Sequence, residues 1–371
     1  MVIEYNKPET EKAILVAWAP DSMHRAEVAA SLEELSQLSL SAGAEVIASR
    51  IQTRPKPDPA YFIGRGLVAE LKEQLQADGA NCVIFDDTLS PAQQRNLEDA
   101  LKAKVVDRPI LILDIFASRA RTSAARLQVE LAQLEYTLPR LTGAWVHFSR
   151  QYGGIGAKGP GETQLEIDRR RVRTRIAHLK ALLKKLDRQR STQRKGRQAM
   201  FKIALVGYTN VGKSTLFNVL TRSDVTTADM LFTTLDSTTR QMITHHPCQI
   251  VISDTVGFIK KLPHQLVESF KSTLEEVCLA DLLVQVIDCS APDCRQRYLQ
   301  TRQVLTDIGA DRVPYLLAYN KIDANPDFVP PMDDAVLSFT ISAAEHRGIA
   351  ALQSELVARS QHRLSKREHL A

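Results

Sequence analysis

The sequence predicts an α/β protein: two regions of alternating strands and helices, separated by a long antiparallel helical hairpin. Three observations carry this prediction. Apolar strand-like runs alternate with helical periods over residues 12–107 and again from 201 to about 360. Between them the period changes to a heptad-like leucine stripe. Five of the chain's 16 glycines also fall within residues 153–161, inside that middle region.

At 371 residues the chain exceeds what one core of ~250–300 residues holds. The expected division is an N-terminal α/β subdomain (1–116), a hairpin (117–190) with a glycine-rich loop (142–162), a linker (191–200) and a second α/β domain (201–365). Charged residues make up 25% and hydrophobic ones 44%, which excludes a largely disordered or fibrous chain. The best apolar run, 109–117, is interrupted by Asp114 and is too short to span a bilayer. The opening MVIEYNKPETEK has acids where a signal peptide needs a basic start, and the closing EHLA carries no prenylation box. Cys82, Cys248, Cys278, Cys289 and Cys294 lack CxxC spacing, so free thiols in a reducing cytoplasm are expected. A cytoplasmic monomer is the simplest expectation.

In the first region, strands are expected at 14–18, 44–51, 82–85 and 104–106, with helices at 24–42, 66–77 and 91–101. Ser90 caps the last helix and Pro91 takes its first position. The Gly64-Arg65-Gly66 turn fits a phosphate-binding loop and, with fewer assumptions, a plain turn before a helix. In the hairpin, Leu127, Leu131, Leu134, Leu138 and Leu141 form one stripe, and Leu165, Val172, Ile176, Leu179, Leu183 and Leu186 the other. The expectation is that each stripe buries on the other, with Pro139 kinking or ending the first helix. A second arm from 163 to about 190 would be roughly 40 Å long. A loop this rich in glycine gives up much backbone entropy on ordering, which suits one that orders on a partner.

Charge is unevenly placed. Between Arg169 and Arg197 there are 13 Lys/Arg and one acid, so this stretch carries +12 of a net +5 and the rest of the chain is acidic. Such a block fits a polyanion contact or a solvated helix face.

The second α/β region carries the chemistry. Gly207-Tyr208-Thr209-Asn210-Val211-Gly212-Lys213-Ser214-Thr215 is a GxxxxGK[ST] phosphate loop, after an apolar strand at 202–206 and before a helical period. Backbone N–H groups there wrap phosphates, Lys213 reaches the β- and γ-phosphates, and the Ser214 hydroxyl ligates Mg²⁺. Asp254-Thr255-Val256-Gly257 closes a strand at 250–253, where Asp254 assists Mg²⁺ through water and the Gly257 N–H meets the γ-phosphate. Asn320-Lys321-Ile322-Asp323 closes a strand at 315–319. Its carboxylate at Asp323 accepts guanine N1 and N2 hydrogens that adenine does not offer. Ser342-Ala343-Ala344 ends a strand at 336–340 and offers backbone N–H groups to guanine O6. Within 229–239, Phe232, Thr233 and Thr234 resemble a first switch; Thr234 is the choice for γ-phosphate and Mg²⁺ sensing, with Thr233 the competing assignment. Lys213, Thr234 and Gly257 are the expected catalytic residues.

In this order the motifs resemble a Ras-like P-loop GTPase of the translation-factor class. Ras places a glutamine after the glycine that matches Gly257. Here Phe258 stands instead and cannot hydrogen-bond water, so slow intrinsic turnover is expected. In related GTPases an asparagine at the position of Asn210 helps bind K⁺; a loop-bracing side chain is the alternative.

The chain as a whole, over roughly residues 12–360, resembles the HflX family of ribosome-associated GTPases. The resemblance rests on the stretch GGIGAKGPGETQLEIDRRR (153–171), with Gly153, Gly154, Gly156, Lys158, Gly159, Gly161, Arg169, Arg170 and Arg171. It also rests on YFIG (61–64), LSPAQQRNL (89–97) and DTVGFI (254–259). It implies an N-terminal α/β subdomain, a helical hairpin and a C-terminal G domain. It further implies binding of GTP and GDP, rRNA contact through those loop residues and through Arg173 on the arm, association with the 50S subunit and its 23S rRNA, and dissociation of stalled 70S ribosomes. The alternative is a GTP-switched RNA-binding or 50S-assembly module that never splits ribosomes. Era-like, EngA-like and MnmE-like architectures each need parts this sequence does not carry. A membrane-surface role lacks the apolar helix face it requires.

Overall fold

The computed structural model describes residues 11–142, 160–195, 200–223, 231–232, 238–244, 249–261, 276–331 and 336–368. It divides the chain into two compact units, Met1–Ser118 with Leu127–Ala181, and Arg119–Arg126 with Leu182–Ala371. No helix among the described residues is long and apolar enough to cross a membrane.

The first unit starts with β1 (Lys12–Ala19), α1 (Arg25–Ser41), β2 (Glu45–Thr53), α2 (Arg65–Asp78), β3 (Cys82–Phe85), α3 (Pro91–Leu101) and β4 (Lys104–Asp107). The four strands are parallel in the order β2-β1-β3-β4. Alternation is clearest where one face meets solvent; β3 instead reads as a continuous apolar run because both its faces are buried. Ser90 caps α3 as expected, with Pro91 in the first turn, and the structure adds a capping box with Gln93. The Gly64 N–H donates to Gln52 Oε1 at 2.7 Å and Gly64 caps α2, so the Gly64-Arg65-Gly66 turn is a helix start.

Two neighbouring strands of this sheet, β3 and β4, run into acids that the structure buries. Asp86, after β3, meets the fully buried Arg108 at 2.5 Å and accepts from Ser31 at 2.8 Å, while Glu34 meets the same guanidinium at 3.0 Å. Asp107, closing β4, accepts from the Leu89 N–H, the Ile110 N–H and the Tyr136 hydroxyl. Burial pushes the Asp107 carboxyl up, and those donors oppose it. Arg140 stacks on the Tyr136 ring and reaches the Leu89 carbonyl at 2.8 Å, so the chain just before residue 143 is tied to the sheet edge.

α4 (Arg108–Arg119) occupies the apolar run at 109–117, which sequence periodicity left unassigned; its length and its Pro109 near the start fit a buried helix. α5 (Ser123–Thr137) and α6 (Pro160–Lys195) form the expected helices. Ion pairs Glu130–Arg175 and Glu135–Lys180 tie them side by side. The stripe is buried at Leu131 and Leu179, but Leu127, Leu134, Leu138, Val172, Ile176 and Leu183 are only half-buried. The deeper face of α5 is Ala125, Gln128, Val129, Ala132 and Tyr136. Helix α5 therefore has two apolar sides, and the heptad pattern reports only one.

Helix α6 begins at Pro160, three residues earlier than expected, because proline suits a first helical position. It also runs through Lys195, five residues into the stretch read as linker; polar side chains sustain a helix without apolar periodicity. At 36 residues it is about 54 Å long.

The second unit contains β5 (Phe201–Gly207), α7 (Lys213–Thr221), β6 (Thr238–Gln241), β7 (Ile250–Asp254), β8 (Leu282–Asp288), α8 (Cys294–Asp307), β9 (Tyr315–Asn320), β10 (Ser338–Thr340) and α9 (Ile349–Glu368). The sheet order is β10-β9-β8-β5-β7-β6, parallel except for the β6–β7 pair. Strand β6, a polar edge strand of sequence TTRQ, carried no alternation to betray it. The cysteines at 82, 278, 289 and 294 are free thiols.

Candidate functional site: a phosphate loop meeting a guanine motif

The interior strand β5 delivers the phosphate loop to the carboxyl end of the sheet, where ligands bind in open α/β folds. Lys213 opens α7, so the loop amides sit at a helix N-terminus, where the backbone favours anions. Gly212 has φ 90°, and a Cβ there would collide with the Asn320 amide nitrogen. Only glycine fits both demands.

Lys213 is buried. Its Nζ donates to the carbonyls of Gly207 (3.1 Å) and Tyr208 (2.6 Å). Burial pushes its pKa down to about 8, with the Asp254 charge pulling the other way. Ser214 Oγ donates to Asp254 Oδ2 at 2.6 Å, and Asp254 is wholly buried at the end of β7. A hydroxyl and a carboxylate side by side are hard oxygen donors, which suit Mg²⁺ better than a soft metal. Thr255 is wholly buried and donates to the Leu205 carbonyl of β5 at 2.6 Å. Val211 and Val256 are buried, and Thr215 is half-buried on α7. The Thr209 hydroxyl is buried with no hydrogen-bond partner among the described residues.

Gly257 packs against the loop. A Cβ there would lie 2.8 Å from Thr209 Cα and 3.0 Å from Lys213 Nζ, so this backbone can approach the phosphate site as no other residue could. Phe258 follows and bridges Tyr208: its N–H donates to Gly207 O at 3.1 Å, and Thr209 N–H donates to Phe258 O at 2.8 Å. Its ring is buried with Ala204, Val206, Val277, Leu283 and Leu305. The residue in place of glutamine is thus part of the core.

The guanine motif closes β9. Asn320 braces it, donating to the Val211 carbonyl and accepting the Ala343 N–H. That Ala343 amide is therefore committed to Asn320 and not directed outward; of Ser342-Ala343-Ala344, Ala344 is exposed. Lys321 pairs with Asp288 at 2.7 Å. A hydrogen bond from Ser342 holds the Asp323 carboxyl below its ordinary range, and Asp323 Oδ1 has no partner among the described residues. An ionised carboxylate oxygen without a protein donor is the acceptor that guanine N1 and N2 require.

Several expected site residues lie elsewhere. Phe232, of the first switch, is buried with φ 59°. Thr233, Thr234, Gly153, Gly154, Gly156, Lys158 and Gly159 lie outside the described residues, and Gly161 is in the first turn of α6. Arg170, Arg171 and Arg173 are exposed on α6 and Arg169 half-exposed. One groove there is lined by Ile167, Arg170, Arg171, Thr174, Arg175 and His178. Sequence reading named Tyr208 as a loop residue but missed Lys260 and Asp288 as partners in the site. An acid ending an apolar strand was the available signal for Asp288.

Comparison with known proteins agrees with the geometry. Residues 29–117 match a family described as GTP-binding GTPase N-terminal, 119–197 its middle region, and 202–321 one described as 50S ribosome-binding GTPase. GTPase HflX of Flavobacterium psychrophilum is 47% identical over 330 residues, covering 89% of this chain and 80% of that one. GTPase HflX of Escherichia coli is 48% identical over 307 residues, covering 81% and 71%. A crystal structure of SsGBP with GDP shares the fold at TM-score 0.50 and 23% identity, covering 95% of this chain and 99% of that chain. The phosphate loop, the guanine motif and these relatives together place the chain in the HflX family of GTPases, whose chemistry is the hydrolysis of GTP.

Proposed function

We propose that this GTPase binds the 50S subunit and dissociates stalled or idle 70S ribosomes in the cytoplasm, acting as a monomer. The observation that carries this reading is α6, a helix about 54 Å long that holds most of a +12 block between Arg169 and Arg197. Exposed arginines at 170, 171 and 173 on one rigid element suit rRNA phosphates, whose contacts position a protein without reading sequence. The glycine-rich stretch 153–161 adjoins the start of this helix in sequence, and we assign Gly153, Gly154, Gly156, Lys158, Gly159 and Gly161 to the rRNA contact. The name of the family matched at 202–321 supports the same partner.

In the nucleotide site, Lys213 holds the β/γ-phosphates, the Gly257 N–H meets the γ-phosphate and Asp323 reads guanine. Ser214 and Asp254 (through water) would hold Mg²⁺, joined by Thr234; the ion offsets phosphate charge. Asn210, with φ 60°, is the K⁺ ligand or the loop brace, and turnover in K⁺ against Na⁺ decides between them. Because Phe258 orients no water, ribosomes supply the stimulation.

Sedimentation tests the reading: protein and GTP are added to 70S ribosomes, and the particles are resolved on a gradient. Loss of the 70S peak in favour of free subunits is expected, weakening steeply as salt rises. Binding to 50S with an undiminished 70S peak would favour an assembly factor. Deleting 153–161 should leave GTP binding intact and impair splitting.

A further inference from the structure

We propose that Lys260, Asp293, Arg297 and the Tyr208 hydroxyl form a latch that retains the second switch, the segment running from Asp254 at the end of β7 to Lys260, and sets the basal rate of GTP hydrolysis. The inference rests on the GTPase activity alone and is independent of the ribosome reading.

Tyr208 is the centre of the arrangement. Its carbonyl accepts the Lys213 ammonium at 2.6 Å. Its phenol oxygen accepts the Lys260 N–H at 2.7 Å. Its ring lies under the Arg297 guanidinium, 5.0 Å from the centroid. One residue of the phosphate loop thus touches the catalytic lysine, the second switch and α8.

The side chains close the circuit. Lys260 is buried, and its Nζ lies 3.4 Å from Asp293 Oδ2. Arg297 Nε lies 2.7 Å from Asp293 Oδ1, one helical turn along. Asp293 sits at the N-cap position of α8 and makes no cap hydrogen bond there. Its carboxylate serves the two cations instead.

Lys260 is held two residues beyond Phe258, which is itself paired to Gly207 and Thr209 and sunk in the core. With both ends fixed, the 257–260 backbone has one path along the phosphate loop. Hydrolysis needs a water-orienting group near the γ-phosphate, and the retained position places a buried phenyl ring at that point in the chain. A γ-phosphate that draws Lys213 away from the Tyr208 carbonyl loosens the residue that also holds Lys260. Lys260, Asp293 and Arg297 are positioning residues in this scheme, acting through the switch backbone.

Steady-state kinetics on the full chain test it. A part-buried ion pair of this kind shifts an equilibrium by up to about fivefold. Asp293→Asn and Lys260→Met should each raise basal kcat by roughly that factor, with KM for GTP within about twofold of wild type. The double variant should rise no further than either single one, because one interaction is removed in all three. Trypsin should also cut after the exposed Lys261 faster in Asp293→Asn than in the wild type. Tyr208→Phe, which keeps the ring and removes the hydroxyl that accepts the Lys260 N–H, provides a second route to the same rise. An unchanged or lowered kcat, additive effects in the double variant, or KM moving in step with kcat would overturn the latch.

Discussion

The side-chain amide of Asn320 donates to the Val211 carbonyl at 2.8 Å, and its oxygen accepts the Ala343 N–H at 2.9 Å. A single buried side chain thereby joins the phosphate loop, the end of β9 and the loop after β10. Replacing Asn320 with Ala leaves both groups without this partner, at about 1–3 kcal/mol for each buried polar group. GTP affinity should fall about tenfold or more, read by calorimetry. An unchanged Kd would show that the brace is dispensable.

Lys213→Ala should abolish hydrolysis, since it removes the ammonium held on the Gly207 and Tyr208 carbonyls of the loop. The lysine also predicts a pH dependence. Its pKa is pushed down to about 8, and the protonated form is the one that meets phosphate. Above pH 8 the free protein loses this proton and must regain it on binding GTP. Affinity should therefore fall by about tenfold per pH unit above that point and be flat below it. A flat profile from pH 7 to 10 would argue against a depressed pKa.

Asp323→Asn should weaken GTP and favour xanthosine triphosphate, because an acceptor pair becomes part donor. Ser342 holds the carboxylate ionised, so discrimination between GTP and XTP by the wild type should persist well into acid. Competition binding with the two nucleotides reads the switch directly.

Arg108→Ala should destabilise the first unit by about 3–5 kcal/mol, because it strands the fully buried Asp86 beside Glu34. Denaturant unfolding followed by circular dichroism should show an earlier transition, while GTP binding, which belongs to the other unit, persists. An unmoved midpoint would mean that Asp86 finds another donor.

The local elements were legible because their signals are local. Ser90-Pro91 marks a helix start whatever surrounds it, and GxxxxGKS after an apolar strand needs glycine, lysine and hydroxyl at fixed spacing. Helix α4 escaped because a short, nearly all-apolar run has no period to read. Strand β6 escaped because an edge strand with both faces polar does not alternate. The polar end of α6 resembled a linker because a solvated helix needs no apolar stripe.

What the sequence determined by itself was a set of motifs: a GxxxxGKS loop after an apolar strand, the carboxylate we assign to guanine, a hydroxyl and a carboxylate suited to a divalent ion, and a phenylalanine after Gly257. These depend on residue type and spacing along one strand-loop-helix. Tertiary structure alone decided which groups face each other across distant segments. Asn320 reaches a carbonyl 109 residues away, Arg108 meets Glu34 of α1 and Asp86 just after β3, and Tyr208, whose carbonyl holds Lys213, accepts the Lys260 N–H from 52 residues away. No periodicity encodes such pairings. They arise when parallel strands bring their carboxyl ends to one edge, where buried polar groups must find partners or cost the fold their full desolvation.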